Sequence, residues 1–363
     1  MKTITLHIGN PKTGTTSIQK TLAANSKRLE KKGIIYPLGP MSVSRRKFPS
    51  RQRTHRWLLL LVEPDRSKWP RTMRARISEA DAAYAVRNAQ KSFARLLKKV
   101  ERSSAQRVIL STENLGSWDV QKLSQLKKLL APLGAKYEIM CYYRNPAKSY
   151  LAKLQQQLKA SGSSHSFSKS VRSISRTHAN YSAVFGDSVS IRLFDRGLLK
   201  DGDVVSDFLS AVGLDNQTIG SLPKVDANVS GPGELTAAQY WIRSRAFKDL
   251  EGNFSGANKN LNRALLKAMN GLELGRAKLA PGVAETVYFH NREELRWLKS
   301  ELGLVFDEID YDDLDNPPTV DLNSAELSDL IWSDPEKTDL LIARTIRELC
   351  NSAGLRNSFK AYF

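Results

Sequence analysis

The sequence predicts an α/β protein, with a central parallel sheet flanked by helices and a helical C-terminal part. Two observations predict it. Short β-like runs at residues 3–8, 107–111, 137–143 and 189–194 are separated by segments of helical periodicity. Strands that alternate with helices are joined by crossovers, and crossovers make neighbouring strands parallel. Beyond Gly231 the strand signal fades and the chain reads helical.

In chain order, the apolar run from Ile4 to Ile8 enters G-N-P-K-T-G-T-T, residues 9–16. A helical pattern follows over 15–29, with Ile18, Leu22 and Leu29 on one side. A weaker strand is expected at 33–37. Residues 38–50 read as a polar, basic loop, and 80–100 as a long basic helix. The strand at 107–111 runs out into Ser111-Thr112-Glu113-Asn114, and a helix is expected at 119–130. The strand at 137–143 leads to Arg144 and a helix over 147–158. Residues 160–175 are Ser-rich and expected to be irregular and mobile. The helix at 203–212 ends at Gly213, a C-cap signal. In HNREELRWLKSELG, Asn291 and Glu294 have capping-box spacing. The last helix opens at Ser333-Asp334-Pro335 and closes by Gly354.

Composition bounds the function. The chain has 363 residues, 41% apolar and 8% aromatic, which is ordinary globular usage. No run approaches the roughly 18 apolar residues of a membrane span. Lys2 is followed by a strand and a polar loop, not by the apolar core of a signal peptide, so a cytoplasmic protein is expected. Cys141 and Cys350 are too few and too far apart for a metal site or a disulfide framework, and buried inert thiols are expected. His7, His55, His165, His178 and His290 lack metal-ligand spacing.

The net charge is +19, unevenly placed. Residues 45–107 carry eighteen Lys and Arg against five Asp and Glu, a net of +13, while 307–321 is acidic. The basic stretch is either a solvated helical face or the seat of an anionic partner. No zinc-finger or RNA-recognition signature accompanies it, so nucleic acid is not the expected partner.

The loop at 9–16 carries the most specific chemistry. Amides at a helix N-terminus attract anions, and Gly9 and Gly14 let a ligand approach the backbone. Thr15 and Thr16 add hydroxyls. A nucleotide-hydrolysing phosphate loop has its lysine directly after the second glycine, followed by Ser or Thr. Here Lys12 precedes Gly14. That placement suits a bound group with one phosphate and a transferable end. No aspartate closes a strand as a magnesium ligand would, so no metal is expected.

PKTGTTSIQ after the first strand resembles the 5′-phosphosulfate loop of sulfotransferases that use 3′-phosphoadenosine-5′-phosphosulfate (PAPS). YEIMCYYRNPAKSYLAKLQQQ resembles the second signature of that family, a strand leading to an arginine and then a helix. RLFDRGLLKDGDVVSDFLSAVGL and VDANVSGP are similar to bacterial carbohydrate sulfotransferases. The likeness covers about residues 1–305, with gaps across 40–105 and 160–185. It implies a P-loop nucleotide-hydrolase-like sulfotransferase fold. The expected organisation is a sulfotransferase domain over 1–320, with a nucleotide core at 1–230 and a helical acceptor-side part at 231–305. A C-terminal helical extension occupies 321–363.

The resemblance also implies the activity: PAPS as co-substrate and a carbohydrate hydroxyl as acceptor, on a polysaccharide, glycolipid or surface glycan precursor. Pro11, Lys12, Thr13, Gly14, Thr15 and Thr16 would hold the 5′-phosphosulfate, with Lys12 donating to the bridging oxygen. Arg144 would hold the 3′-phosphate. The serine the family places eight residues after the arginine is Ala152 here, so Ser149 or Lys153 is the candidate replacement. Asn228 and Ser230 stand in a loop expected to close over the nucleotide. The base is His55, with Glu113 orienting it or the acceptor, or the two roles are reversed. The basic stretch, with His55, Trp57 and Trp69, is expected to form the acceptor side and favour an anionic glycan; peripheral contact with a membrane surface is compatible with it. Two other functions fit parts of the sequence: a metal-dependent P-loop kinase of a small molecule, or a non-enzymatic binder of an acidic polymer.

Overall fold

Five strands of short, β-branched-rich sequence form one wholly parallel sheet: β1 (Thr3–His7), β2 (Ile34–Ile35), β3 (Arg107–Ser111), β4 (Lys136–Tyr143) and β5 (Val189–Leu193), in the order β2-β3-β1-β4-β5. The computed structural model describes residues 2–39, 53–75, 77–160, 173–225, 231–246 and 256–351. All five expected strands are present. The α/β class with a central parallel sheet flanked by helices is therefore the fold of the protein.

The chain divides into two compact units. One joins Met1–Arg144 with Ser173–Asn228, and the other joins Asn145–Arg172 with Val229–Phe363. The first unit holds the sheet. Its central strand is buried on both faces, with Ile4 and Leu6 enclosed on one and Thr5 and His7 on the other, as a covered parallel sheet requires. Helix α1 (Thr15–Ala24) lays Ile18 and Leu22 against Phe208 and Leu209 of the helix Val204–Ala211. The helix expected over 15–29 is broken at Asn25, where a second helix, Ser26–Lys31, begins. The Asn25 side chain donates to the Thr21 carbonyl (2.9 Å) and to the Pro223 carbonyl (3.0 Å), which ties the break to a distant turn.

A polar triad, built on the buried Asp207 and Tyr142, binds β4 and β5 to the helix Val204–Ala211. Arg192 holds Asp207 through two bonds of 2.7 Å, and the Tyr142 hydroxyl donates to the same carboxylate at 2.7 Å. Burial alone would raise the pKa of Asp207, but the bonds from Arg192 and Tyr142 outweigh it and hold the carboxyl below its usual range.

The second unit is mostly helical. Leu235, Ile242, Leu261, Leu265, Leu341 and Leu349 join the helices Gly233–Ala246, Gly256–Ala268 and Pro335–Asn351. The helix Pro146–Ala160 packs Tyr150, Leu154 and Leu158 against Val283 and Val287. Asn145 opens that helix: its Oδ1 accepts from the Lys148 amide, and its Nδ2 donates to Glu308 (2.8 Å) and to the Tyr288 hydroxyl.

Several local expectations change. The helix Ile174–Phe185 was hidden behind a Ser-rich lead-in, where Ser173 accepts from the Arg176 amide. A two-stranded antiparallel pair, Lys278–Leu279 with Ile331–Trp332, interrupts the helical second unit. Asn291 precedes the helix Arg292–Leu302 but forms no capping box; its amide bonds back to the Val287 carbonyl at 2.7 Å. Cys141 is buried as expected, whereas Cys350 is exposed. The expected loop at 40–50, most of the Ser-rich segment and Gly354 lie outside the described residues. No helix among the described residues is long and apolar enough to cross a membrane.

Candidate functional site

Three sequence-predicted features converge at the carboxyl edge of the sheet in the first unit. The loop after β1 lies in the centre, Glu113 lies just beyond β3 on one side, and Arg144 lies just beyond β4 on the other. The connections from β1 and β4 leave toward opposite edges of the sheet, and such a switch point opens a crevice in open α/β folds.

The loop is shaped by two left-handed residues. Gly14 has φ 72° and ψ 8°, and a Cβ there would lie 2.5 Å from a Val204 methyl, so only glycine fits. Lys12 has φ 68°, a conformation that costs a non-glycine residue about 1–2 kcal/mol. Gly14 has no side chain to cap α1, and its carbonyl receives the amides of Ser17 (2.9 Å) and Ile18 (3.1 Å). Ahead of those bonds, the amides of Thr15 and Thr16 at the start of α1 have no intrahelical acceptor and suit an outside one. Thr13 and Thr15 are buried, and both hydroxyls donate to the Asn10 carbonyl, at 2.6 and 3.4 Å. They brace the loop. Thr16 is exposed, while Pro11 and Lys12 are half-buried. Gly9 lies tightly against its neighbours: a Cβ there would stand 2.6 Å from Thr15 Oγ1 and 3.3 Å from Glu113 Cγ.

Arg144 is half-buried and donates to the Lys12 carbonyl at 3.2 Å. Its guanidinium sits 5.6 Å from the centre of the Phe194 ring. It pairs with no carboxylate among the described residues, and burial lowers its pKa. A cation held in this way favours an incoming anion.

On the other flank, Glu113 and Thr112 line a cleft of about 180 Å³ with Thr16, Gln19 and Lys20 of α1 and with Arg53, Thr54 and Arg56. Thr16, Gln19 and Lys20 fall at i, i+3 and i+4, one face of the helix. That spacing was legible in the sequence, but which face it was depended on the packing of α1.

His55 does not line this cleft. It is fully buried, and both ring nitrogens are committed to backbone. Its Nδ1 accepts from the Ser111 amide (2.8 Å), which places the proton on Nε2, and Nε2 donates to the Pro37 carbonyl (2.7 Å). Burial lowers its pKa to about 4. With no lone pair left for a substrate, His55 is a latch between the segment at 53–57 and the end of β3. The carboxylate that reaches the cleft is Glu113. Trp57 and Trp69 are likewise buried, at 1% and 2% exposure, and offer no ring face to a sugar.

A second histidine escaped the sequence reading as a structural element. His7 ends β1 fully buried, with Nδ1 at 2.9 Å from Ser111 Oγ. The same hydroxyl accepts from Gln19 Nε2 at 3.0 Å. His7 Nε2 has no hydrogen-bond partner among the described residues, and burial lowers the pKa of the ring to about 3.

Ser149 and Lys153 stand on the helix Pro146–Ala160 of the second unit, both half-buried. Asn228 and Ser230 lie outside the described residues. Among the described residues no three His, Cys, Asp or Glu side chains gather as a metal site would.

No protein-family model and no curated protein matches the chain. The arrangement itself offers a helix N-terminus for an anion, a half-buried cation on one flank, and a carboxylate in a basic cleft on the other.

Proposed function

We propose that the protein is a sulfotransferase that moves the sulfuryl group of PAPS to a hydroxyl of a carbohydrate acceptor by in-line transfer. The observation that carries this reading is the oriented N-terminus of α1 behind Gly14, flanked by Arg144 and by the Glu113 cleft. A nucleotide with two separate anionic groups suits it: the α1 amides and the Thr16 hydroxyl take the 5′-phosphate, and Arg144 takes the 3′-phosphate. PAPS supplies a sulfuryl group on a good leaving phosphate.

The chain's own residues then have distinct tasks. Pro11, Thr13 and Thr15 keep the loop in shape. Lys12 donates to the bridging oxygen as charge builds there, an interaction that is stronger in the transition state than in the ground state. Glu113 takes the proton of the acceptor hydroxyl, whose oxygen bonds to sulfur as the bond from sulfur to the bridging oxygen breaks. The base role falls to Glu113 because both nitrogens of His55 are occupied.

Thermal shift tests the reading. With chelator present, 3′-phosphoadenosine 5′-phosphate should raise the melting temperature, and adenosine 5′-phosphate should do so far less. Ligand at a hundred times its Kd adds about 2.7 kcal/mol. A preference for ATP with magnesium, or no shift with the bisphosphate, would overturn the proposal.

A further inference from the structure

We infer that the cleft beside Glu113 recognises a negatively charged group on the acceptor sugar, through Lys20, Arg53 and Arg56. The inference rests on the sulfuryl-transfer reading only for calling this ligand the acceptor. The cleft is lined by three cationic side chains and one carboxylate. Neither Lys20 nor Arg53 has an ion-pair partner among the described residues, although carboxylates partner other basic residues of the same unit, such as Arg66 with Glu79 and Lys99 with Glu30. A net positive cleft of this kind concentrates anions.

The backbone that carries the cations is held in place by built structure. The His55 latch fixes the segment that carries Arg53 and Arg56: the His55 amide donates to the Ser111 carbonyl (3.0 Å), its Nδ1 accepts from the Ser111 amide, and the Tyr36 hydroxyl donates to the Arg53 carbonyl. Lys20 is fixed by α1, one turn beyond the exposed Thr16. The cleft therefore shares its wall with the end of the phosphate-facing helix, so a group bound there lies next to the reacting centre.

Size restricts the ligand further. A volume of about 180 Å³ is below the roughly 300 Å³ at which pockets for whole drug-sized ligands begin. It suits one sugar ring of a longer chain. Carboxylate and phosphate both match an arginine fork, so the shared chemistry is an oxyanion on the sugar that carries, or adjoins, the reacting hydroxyl.

The probes are methyl β-D-glucuronide, glucose 6-phosphate and neutral methyl β-D-glucoside, titrated into the full chain by calorimetry with 3′-phosphoadenosine 5′-phosphate present and absent. At least one anionic sugar should bind about ten-fold or more tightly than the neutral one, and which of them does so identifies carboxylate or phosphate. Lys20→Gln and Arg53→Gln should each weaken that probe by about 5-fold or more while leaving the bisphosphate affinity unchanged. Binding should also fade toward about 1 M salt, where screening is about 3 Å. Equal binding of neutral and anionic sugars, insensitivity to both substitutions, or displacement of the sugar by the bisphosphate would each overturn the inference. If the sugar binds and the bisphosphate does not, the anion subsite stands and the sulfuryl-transfer reading fails.

Discussion

Acidification from pH 7 to pH 5 should cost the sheet-containing unit close to 4 kcal/mol, most of it through two buried histidines. His55 and His7 have pKa values lowered by burial to about 4 and about 3, against 6.5 when unfolded. Between those values the unfolded chain holds the proton and the folded chain does not, so stability rises with pH. The contribution is complete above pH 6.5 and is lost as pH falls toward the folded values. At about 1.36 kcal/mol per pKa unit, each histidine gives up about 2 kcal/mol between pH 7 and pH 5. That is a large share of a typical stability of about 5–15 kcal/mol. The depressed carboxyls Asp203 and Asp207, with an unfolded value of 3.8, act mainly below this window. Urea unfolding followed by tryptophan fluorescence measures the loss. His55→Asn should remove about half of it, because asparagine does not titrate. A pH 7-to-5 loss that is the same in wild type and in His55→Asn would refute the neutral, backbone-bonded state assigned to His55.

Three further outcomes are expected. Arg144→Gln should weaken 3′-phosphoadenosine 5′-phosphate by about 10- to 150-fold in calorimetry, the worth of a charge-assisted bond, and barely affect adenosine 5′-phosphate; equal losses would remove Arg144 from the 3′-phosphate. Lys12→Ala should lower turnover more than it raises the Michaelis constant, whereas a change confined to the Michaelis constant would make Lys12 a simple binding residue. Asp207→Asn should cost about 1.5–3 kcal/mol in urea unfolding, since Arg192 and Tyr142 lose an ionised acceptor; a loss under about 0.5 kcal/mol would show that the triad contributes little.

The sheet was legible because each strand is a short apolar run bounded by polar turns, and the burial of β1, β3 and β4 needs such runs. The loop was legible through Gly14, whose left-handed backbone and contact with Val204 leave room for no side chain. What escaped depended on tertiary partners. Nothing local distinguishes Asn25, bonded to Pro223, from an ordinary helical asparagine. Nothing in R-T-H-R-W marks His55 and Trp57 as interior, because the groups they meet lie elsewhere in the chain, Pro37 and Ser111 for His55 and Phe93 for Trp57. The antiparallel strands Lys278–Leu279 and Ile331–Trp332 are too short for any period to show. The cleft combines residues from α1, from the segment at 53–56 and from the end of β3, so only its members were readable, not their meeting.

The wholly parallel register has a consequence for synthesis. β1 leaves the ribosome ahead of its partners, which lie 104 and 133 residues downstream, as His7 with Ser111 and Thr5 with Glu138 show. At about 5–20 residues per second, the second partner follows roughly 7–27 s later. Through that interval the strand Thr-Ile-Thr-Leu-His exposes its apolar side chains and both hydrogen-bonding edges, with no local hairpin to shelter them. The nascent chain is therefore expected to depend on chaperones until Tyr143 has emerged, and slowed translation between β1 and β4 should lower soluble yield without altering a single native contact.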